Sequence, residues 1–420
     1  MIALLLAALA APDRPNVLLI VLDDVGVDAV STYEGQACTP SLDRLAASGV
    51  KFTRAYAMPA CSPTRAALMS GRRCYRTGVG TAVLPKNPDG LDQSEWTLLE
   101  HFSSVGGYTV SCAGKWHVGD LGVELDPNVQ GCSDYRGSLT GGLPSYYSWK
   151  RTVNGLTFPS FEYVTRRTAM DAAEQMMAMP EPWFSYVSFN SAHRPFHPAP
   201  APVCEPSDGG EAEDFRSMVE NVDAYVGALV DLAVQLSDSD VIVMVYGDNG
   251  TPAGVDAPCP AGMKGTVFEG GIHVPLLVYA PGVLPLESSA MVSAVDFFAT
   301  LCDLADLPIP ATAQDSSSFA PALQGLPVQR TAAYCEWFSP NGGSPGAWGL
   351  QQEWRRALVE PRWKLMRNTG GNGSFPGEAF FDLHTDPCEA ADLLQVTLTP
   401  EQAANYNRLG DLLDLIEGDA

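Results

Sequence analysis

Four short groups of chemistry-bearing residues each follow an apolar run. They are Asp23-Asp24, Lys115 with His117, His193, and Asp248-Asn249. The carboxylates and the Asn249 amide oxygen are hard donors. Carboxylates brought together repel unless a cation lies among them, and an all-oxygen, carboxylate-rich set suits Ca²⁺ better than Mg²⁺. The lysine and the histidines would add positive charge and proton transfer. Each group alone has a plainer reading. Asp-Asp is also a surface turn or helix cap, Asp-Asn-Gly is a common turn, Lys is usually solvated, and His often sits satisfied in a core or loop. A fifth group, Cys61-Ser62-Pro63-Thr64-Arg65, reads as a turn feeding a helix with Pro near its first position, and a buried Cys there is by default inert.

The elements that must position these residues follow from hydrophobic patterning. Residues 16–22 form an unbroken apolar run that stops at Asp23, as in a strand buried on both faces of a parallel sheet. Further strands are predicted over 108–113, 183–189, 241–246 and 274–279. Helices are predicted over 40–47, 94–105 (opened by Ser94), 211–236 and around 290–305. The alternation predicts an α/β fold with a large, mostly parallel sheet flanked by helices. Ligand sites in such sheets lie at the carboxyl ends of the strands, so the four groups are expected to meet in one crevice. After about residue 325 the character changes. Short strands at 332–337, 356–360 and 363–366, a turn at Pro361-Arg362 and a helix at 400–417 predict a small α+β domain. The expected organisation is a signal segment over 1–11, a catalytic domain over 12–325 and a C-terminal domain over 326–420.

Here a resemblance enters. Cys61-x-Pro-x-Arg65, followed by a helix and Gly71-Arg72, resembles the signature of the formylglycine-dependent sulfatases, in the alkaline phosphatase superfamily. The likeness runs nearly end to end. Asn16–Gly26 resembles the family's opening strand with its Asp-Asp. Residues 39–46 and 49–53 are similar to its next segment. Gly114-Lys-Trp-His117 resembles the second signature, Ala192-His-Arg-Pro195 the His-x-Pro element, and Gly247-Asp-Asn-Gly250 the metal loop. Lys264 through Glu269-Gly-Gly-Ile-His-Val-Pro275 resembles the segment with a sulfate-binding lysine, and Phe381–Pro387 the C-terminal Tyr-Asp-Leu-x-x-Asp-Pro element.

The resemblance implies that a maturation enzyme converts Cys61 to formylglycine, whose hydrate attacks the sulfur of a sulfate ester. It implies that Asp23, Asp24, Asp248, Asn249 and residue 61 hold Ca²⁺, with Mg²⁺ as the alternative. It gives Lys115, Lys264 and His193 the charge on the sulfuryl and leaving oxygens, with His193 or Lys264 protonating the alcohol. Arg65 holds the nucleophile and metal ligands, and His117 takes the second hydroxyl proton, which expels sulfate. The sequence departs from the family pattern at His273, where Arg is usual, and at Ser70, where Thr is more frequent. A phosphonate monoester or phosphodiester hydrolase of the same superfamily is the rival activity. A non-catalytic relative that keeps the fold is the rival of another class, disfavoured because no motif position is degraded.

Composition sets the outer limits. In 420 residues, 46% are hydrophobic and 18% charged, which provides for a sizeable core. A net charge of −24 disfavours general binding to nucleic acid or anionic membranes. The segment from Arg44 to Pro88 nevertheless has eight basic residues and no acid, so it either attracts a small anion or pairs with acids elsewhere. The N-terminal run is too short to span a bilayer and reads as a brief secretory segment with Ala8-Leu9-Ala10 as its cleavage site, so export to the periplasm or medium is expected. There are ten cysteines with no CxxC pair, which argues against a zinc ribbon. Tyr146, Tyr147 and Trp149 are expected to pack their loop more than to stack on a substrate ring. The substrate class expected is a sulfated sugar or a small aryl or alkyl sulfate.

Overall fold

The computed structural model describes residues 14–84, 90–119, 127–255, 259, 263–342, 353–370 and 377–418. The expected signal segment and Lys86 of the basic stretch lie outside the described residues.

Strands are β1 (Asn16–Leu22), β2 (Val50–Phe52), β3 (Ala55–Tyr56), β4 (Thr109–Lys115), β5 (Asp134–Ser138), β6 (Trp149–Val153), β7 (Leu156–Ser160), β8 (Trp183–Ser188), β9 (Val241–Gly247), β10 (Leu276–Tyr279), β11 (Leu286–Ser288), β12 (Val292–Ser293), β13 (Ala333–Ser339), β14 (Glu353–Val359), β15 (Trp363–Gly370) and β16 (Gly377–Asp382). Helices are α1 (Pro40–Ser48), α2 (Cys61–Ser70), α3 (Cys74–Thr77), α4 (Leu98–Ser104), α5 (Val164–Ala178), α6 (Glu211–Leu236), α7 (Glu269–Ile272), α8 (Asp296–Leu304) and α9 (Pro400–Gly418).

Ten strands form the main sheet, in the order β11-β2-β10-β9-β1-β8-β4-β5-β6-β7. Its centre, β9 through β5, is parallel, and antiparallel pairs join β10 to β9 and to β2 on one side and β5–β6–β7 on the other. Every side chain of β1 is buried. Its alternate residues feed two separate cores: Val17, Leu19 and Val21 face one, and Leu18, Ile20 and Leu22 face the other. The second core holds the apolar stripes of α5 and α6. The first holds those of α2, α4 and α8 and the inner face of a four-stranded antiparallel sheet, β13-β14-β15-β16. The fold is thus the expected α/β arrangement with a smaller C-terminal sheet and helix.

The differences are local. The helix expected from Ser94 starts at Leu98, because Thr97 caps it: Thr97 and Glu100 form a reciprocal capping box. The helix expected around 290 starts at Asp296, because Val292 and Ser293 instead pair with β3. The β14–β15 hairpin extends to Glu353 and Gly370, beyond the apolar residues that announced it. Strands β5 to β7 and helix α5 were not anticipated, since β5 and β6 mix polar with apolar residues and β7 leaves Leu156 and Phe158 exposed.

Candidate active site

Strand register builds the site. Leu22 of β1 lies beside Gly247 of β9, so the next residues, Asp23 and Asp248, emerge together. The Asp248 amide donates to the Leu22 carbonyl at 3.0 Å, and the Asp24 amide donates to Asp248 Oδ1 at 3.2 Å. On the other side β8 and β4 end at the same level, with Val21 paired to Ser188 and Ser188 to Gly114. Lys115, last residue of β4, therefore reaches Asp23, its Nζ donating to Oδ2 at 2.6 Å with both side chains fully buried.

Helix α2 delivers two more groups, Cys61 and Arg65. Cys61 is its first residue, and Pro63 sits in the first turn, where no helical N–H partner is needed. One turn on, Arg65 points back beneath the strand ends. Its Nε and Nη2 donate to Asp248 Oδ2 at 3.0 and 2.7 Å, and its Nη1 donates to the Lys115 carbonyl at 3.0 Å and to the Ser188 hydroxyl. Burial opposes the guanidinium charge, but Tyr186, Asp248 and Asp23 outweigh it and hold its pKa above the usual value. Arg65 is thus a permanent cation locked in place.

Asp24 is held on the other side of Asp248. It has φ of 61°, a conformation uncommon outside glycine. Its Oδ1 accepts from Asn249 Nδ2 at 2.9 Å and from Lys264 Nζ. Burial raises its pKa, but Lys264, His193 and Lys115 outweigh burial and keep it below the ordinary carboxylate range. Asp23 goes the other way, pushed up to about 7 by burial, with Lys115 opposing. Two buried oxygens, Asp23 Oδ1 and Asn249 Oδ1, have no hydrogen-bond partner. Ligand atoms of Asp23, Cys61 and Asp248 lie within 4.8 Å of one another. Orphaned buried oxygens cost free energy unless something satisfies them. An oxygen-rich set of this kind fits a hard divalent cation.

The histidines differ in orientation. The His117 ring lies between Cys61 Sγ, 3.1 Å from Nδ1, and the Val83 carbonyl, 3.1 Å from Nε2. A carbonyl only accepts, so Nε2 carries the proton and Nδ1 offers its lone pair to residue 61. Burial, then Lys115 and Arg65, lower the His117 pKa well below the usual value, so the ring is neutral. A Cβ on Gly141 would lie 2.1 Å from His117 Cε1, so that glycine makes room for the ring. His193 is half-buried, its Nδ1 donating to the Arg194 carbonyl at 2.8 Å, which leaves Nε2 bare. Burial lowers its pKa against the pull of Asp23 and Asp24.

The sequence-predicted residues therefore converge: Asp23, Asp24, Arg65, Lys115, Asp248, Asn249 and Lys264 form one hydrogen-bonded cluster, the Cys61–His117 pair adjoins it through Cys61 Sγ beside Asp23 and Asp248, and His193 lies within its field. His273 stands apart. It stacks on Tyr56 with ring centroids 5.1 Å apart, and its Nε2 donates to the Thr53 carbonyl at 3.0 Å. His197 packs against Tyr146, Tyr147 and Tyr163. Tyr146 and Trp149 are buried, while Tyr147 is 45% exposed. Most of the basic stretch is paired: Arg44 with Asp231, Lys51 with Glu287, Arg72 with Glu95, and Arg73 and Arg76 with Asp315, while Arg54 donates to the Ser289 carbonyl. Sequence reasoning missed Ser62, Ser188, Tyr186 and Gly141, which carry no signal of their own away from the fold.

Known proteins resemble this chain in sequence and in fold. The Sulfatase family profile matches residues 15–307, and a profile for the C-terminal part of N-sulphoglucosamine sulphohydrolase matches residues 263–411. N-acetylgalactosamine-6-sulfatase of Sus scrofa is 31% identical over 369 residues, 78% of this chain and 70% of that protein. Human arylsulfatase A is 30% identical over 361 residues, 76% of this chain and 70% of the relative. Among solved structures, Ps i-CgsB in complex with k-i-k-neocarrahexaose superposes with a TM-score of 0.81 at 23% identity, covering 97% of this chain and 93% of the other. A protein solved with its substrate D-glucosamine-2-N,6-O-disulfate superposes with a TM-score of 0.77 at 19% identity, covering 97% and 98%. With family profile, relatives and fold in agreement, the chain belongs to the sulfatase family and is a hydrolase of sulfuric esters.

Proposed function

We propose that the protein cleaves sulfate monoesters of sugars with formylglycine at position 61 and a bound Ca²⁺. The observation that supports this best is the pairing of Cys61 with the bare Nδ1 of His117 beside two unsatisfied buried oxygens. Asp23, Asp24, Asp248, Asn249 and residue 61 would hold the ion. When present, the metal supplies Lewis acidity to a sulfuryl oxygen, and the matured residue supplies a hydroxyl nucleophile with a second hydroxyl for release.

The chain's own groups do the rest. Arg65 fixes Asp248 and, through the Lys115 carbonyl, the end of β4. Lys115 and Lys264 place positive charge where negative charge grows on the sulfuryl oxygens, Lys115 from a buried position and Lys264 from a partly buried one. His193, with a free Nε2 at the mouth, is placed to serve the leaving alcohol. His117 Nδ1 accepts a proton from residue 61 when sulfate departs. The sugar preference rests on the sulfated substrates of its relatives. The disulfides Cys38–Cys204 and Cys259–Cys388 fit an exported protein.

The test uses protein co-expressed with a formylglycine-generating enzyme, assayed on a nitrophenyl sulfate and a matched phenylphosphonate ester beside Cys61→Ala. Turnover is expected to favour sulfate, to vanish in a folded Cys61→Ala protein, and to fall on chelation and return with Ca²⁺. Wild-type turnover by Cys61→Ala would overturn the nucleophile, and a phosphonate preference would move the activity to the rival class.

A further inference from the structure

The orientation of His117 depends on a carbonyl that is itself held from far away in the chain. His117 has φ of 56°, a costly conformation for a residue with a side chain. Two contacts secure it. The Ser62 hydroxyl donates to the His117 carbonyl at 2.8 Å and accepts from the Val83 amide at 3.0 Å, so one side chain ties both backbones together. The Val83 carbonyl then accepts from His117 Nε2.

Val83 ends a short strap, residues 78–83, without helix or strand of its own. The strap is fastened to the segment that continues β13. The Gly80 and Thr81 amides donate to Asn341 Oδ1 at 2.9 and 2.8 Å, and Asn341 Nδ2 donates back to the Thr81 carbonyl at 3.0 Å. The Phe338 amide donates to the Gly80 carbonyl at 3.1 Å and the Gly342 amide to the Gly78 carbonyl at 3.0 Å. A Cβ on Gly80 would lie 2.2 Å from Phe338 Cδ2, so the contact is close-packed as well as hydrogen-bonded. Asn341 is buried, and its amide satisfies three backbone groups of the strap at once.

We infer that Asn341 is a positioning residue for the hydrolysis: by clamping the 78–83 strap it fixes the Val83 carbonyl that keeps the proton on Nε2 of His117 and turns a bare Nδ1 toward residue 61. The inference rests on the proposed function, in which His117 acts when sulfate is released rather than when the ester is attacked. A side chain more than 200 positions from the signature thus sets the tautomer of the base.

Two measurements on Asn341→Ala test this. Slowed release lowers kcat and KM together and spares kcat/KM, because attack is untouched. A roughly ten-fold fall in both is expected, a modest part of what a positioned base contributes. Asn341→Asp keeps the acceptor for Gly80 and Thr81, loses the donor, and should fall between. A fall in kcat at unchanged KM, or a fall in kcat/KM, would show general damage and overturn the inference. The second readout needs no turnover: ¹⁵N-histidine NMR should show His117 as the Nε2–H tautomer in the wild type and a mixed signal in Asn341→Ala. An unchanged signal in the variant also overturns it. If Asn341→Ala does not fold, the same two readouts on Asn341→Asp decide. A wild type inert on sulfate would sink the proposed function, while the NMR result would still judge the clamp.

Discussion

Among the buried polar regions of the described residues, the strand-end crevice and the seam where the four-stranded sheet packs against the body make the sharpest pair. Both bury lysine among carboxylates. In the seam, Lys364 Nζ lies 2.9 Å from Glu269 Oε1 and 2.7 Å from Glu389 Oε1, and is fully buried. Glu389 Oε2 accepts from the Glu269 amide, and Tyr56 donates to Glu269 Oε2. Each region also holds a carboxyl pushed up to about 7 by burial: Asp23 in the crevice, Glu389 and Glu336 in the seam. Buried charge and displaced pKa therefore do not mark out the active site. The crevice differs in geometry. Its groups stand at the ends of four parallel strands and a helix, and its Asp23 Oδ1 and Asn249 Oδ1 have no hydrogen-bond donor, whereas the seam's Glu389 Oε1 keeps the Lys364 ammonium at 2.7 Å.

The contrast is broken most sharply by exchanging one buried lysine in each region for methionine, which keeps length and removes charge. Lys115→Met is expected to lower kcat by about 10³-fold, the scale of losing a preorganised charge-stabilising group. Steady-state kinetics on a nitrophenyl sulfate measures it, and a fall below ten-fold would remove Lys115 from the catalytic set. Lys364→Met should do the reverse. It leaves Glu269 and Glu389 facing each other without their cation, a loss of about 3–5 kcal/mol. Denaturant unfolding measures that loss, and the folded fraction should keep most of its kcat. If Lys364→Met cuts kcat as deeply as Lys115→Met, the seam is part of the chemistry and the distinction fails.

A smaller change probes geometry alone. Gly141→Ala adds one methyl where His117 Cε1 would be 2.1 Å away, so ring or loop must move. A displacement of about 1 Å at a catalytic group costs on the order of 10²-fold. The expected outcome is a fall of that size in kcat with little change in unfolding midpoint. A fully active variant would mean that the ring has room to spare.

How far the sequence revealed these regions follows from the same contrast. Asp23, Lys115 and Asp248 were legible because each interrupts or ends an apolar run, and strand-end polarity is a local signal. Cys61 and Arg65 were legible through a compact signature. Asn341, Ser62 and Val83 were not, because they act through backbone groups that only the folded chain brings together. Strands β5 to β7 escaped because the edge of the sheet needs no continuous apolar run, as the exposed β7 shows. The seam escaped for a similar reason: Lys364 sits in a strand that reads as an ordinary hairpin, and its partners lie 95 residues away in one case.

The last and smallest test returns to the seam. Glu336 is buried on β13, its oxygens accepting from the Tyr75 amide, the Tyr334 hydroxyl and the Trp354 indole. Those donors favour the charged form, yet burial prevails and raises its pKa from 4.5 to about 7. Between those values the native state binds a proton that the unfolded chain has lost, so this group's contribution to stability falls as pH rises through the window. Glu336→Gln removes the titration. The stability of the wild type relative to that variant should therefore decline from pH 5 to pH 8, by at most about 3 kcal/mol. Urea unfolding of both proteins at several pH values gives the difference directly and cancels titrations shared by the two. A difference that stays flat, or grows with pH, would mean that the three donors already hold Glu336 ionised, and that the seam, like Asp24 in the crevice, is organised around charge kept rather than charge surrendered.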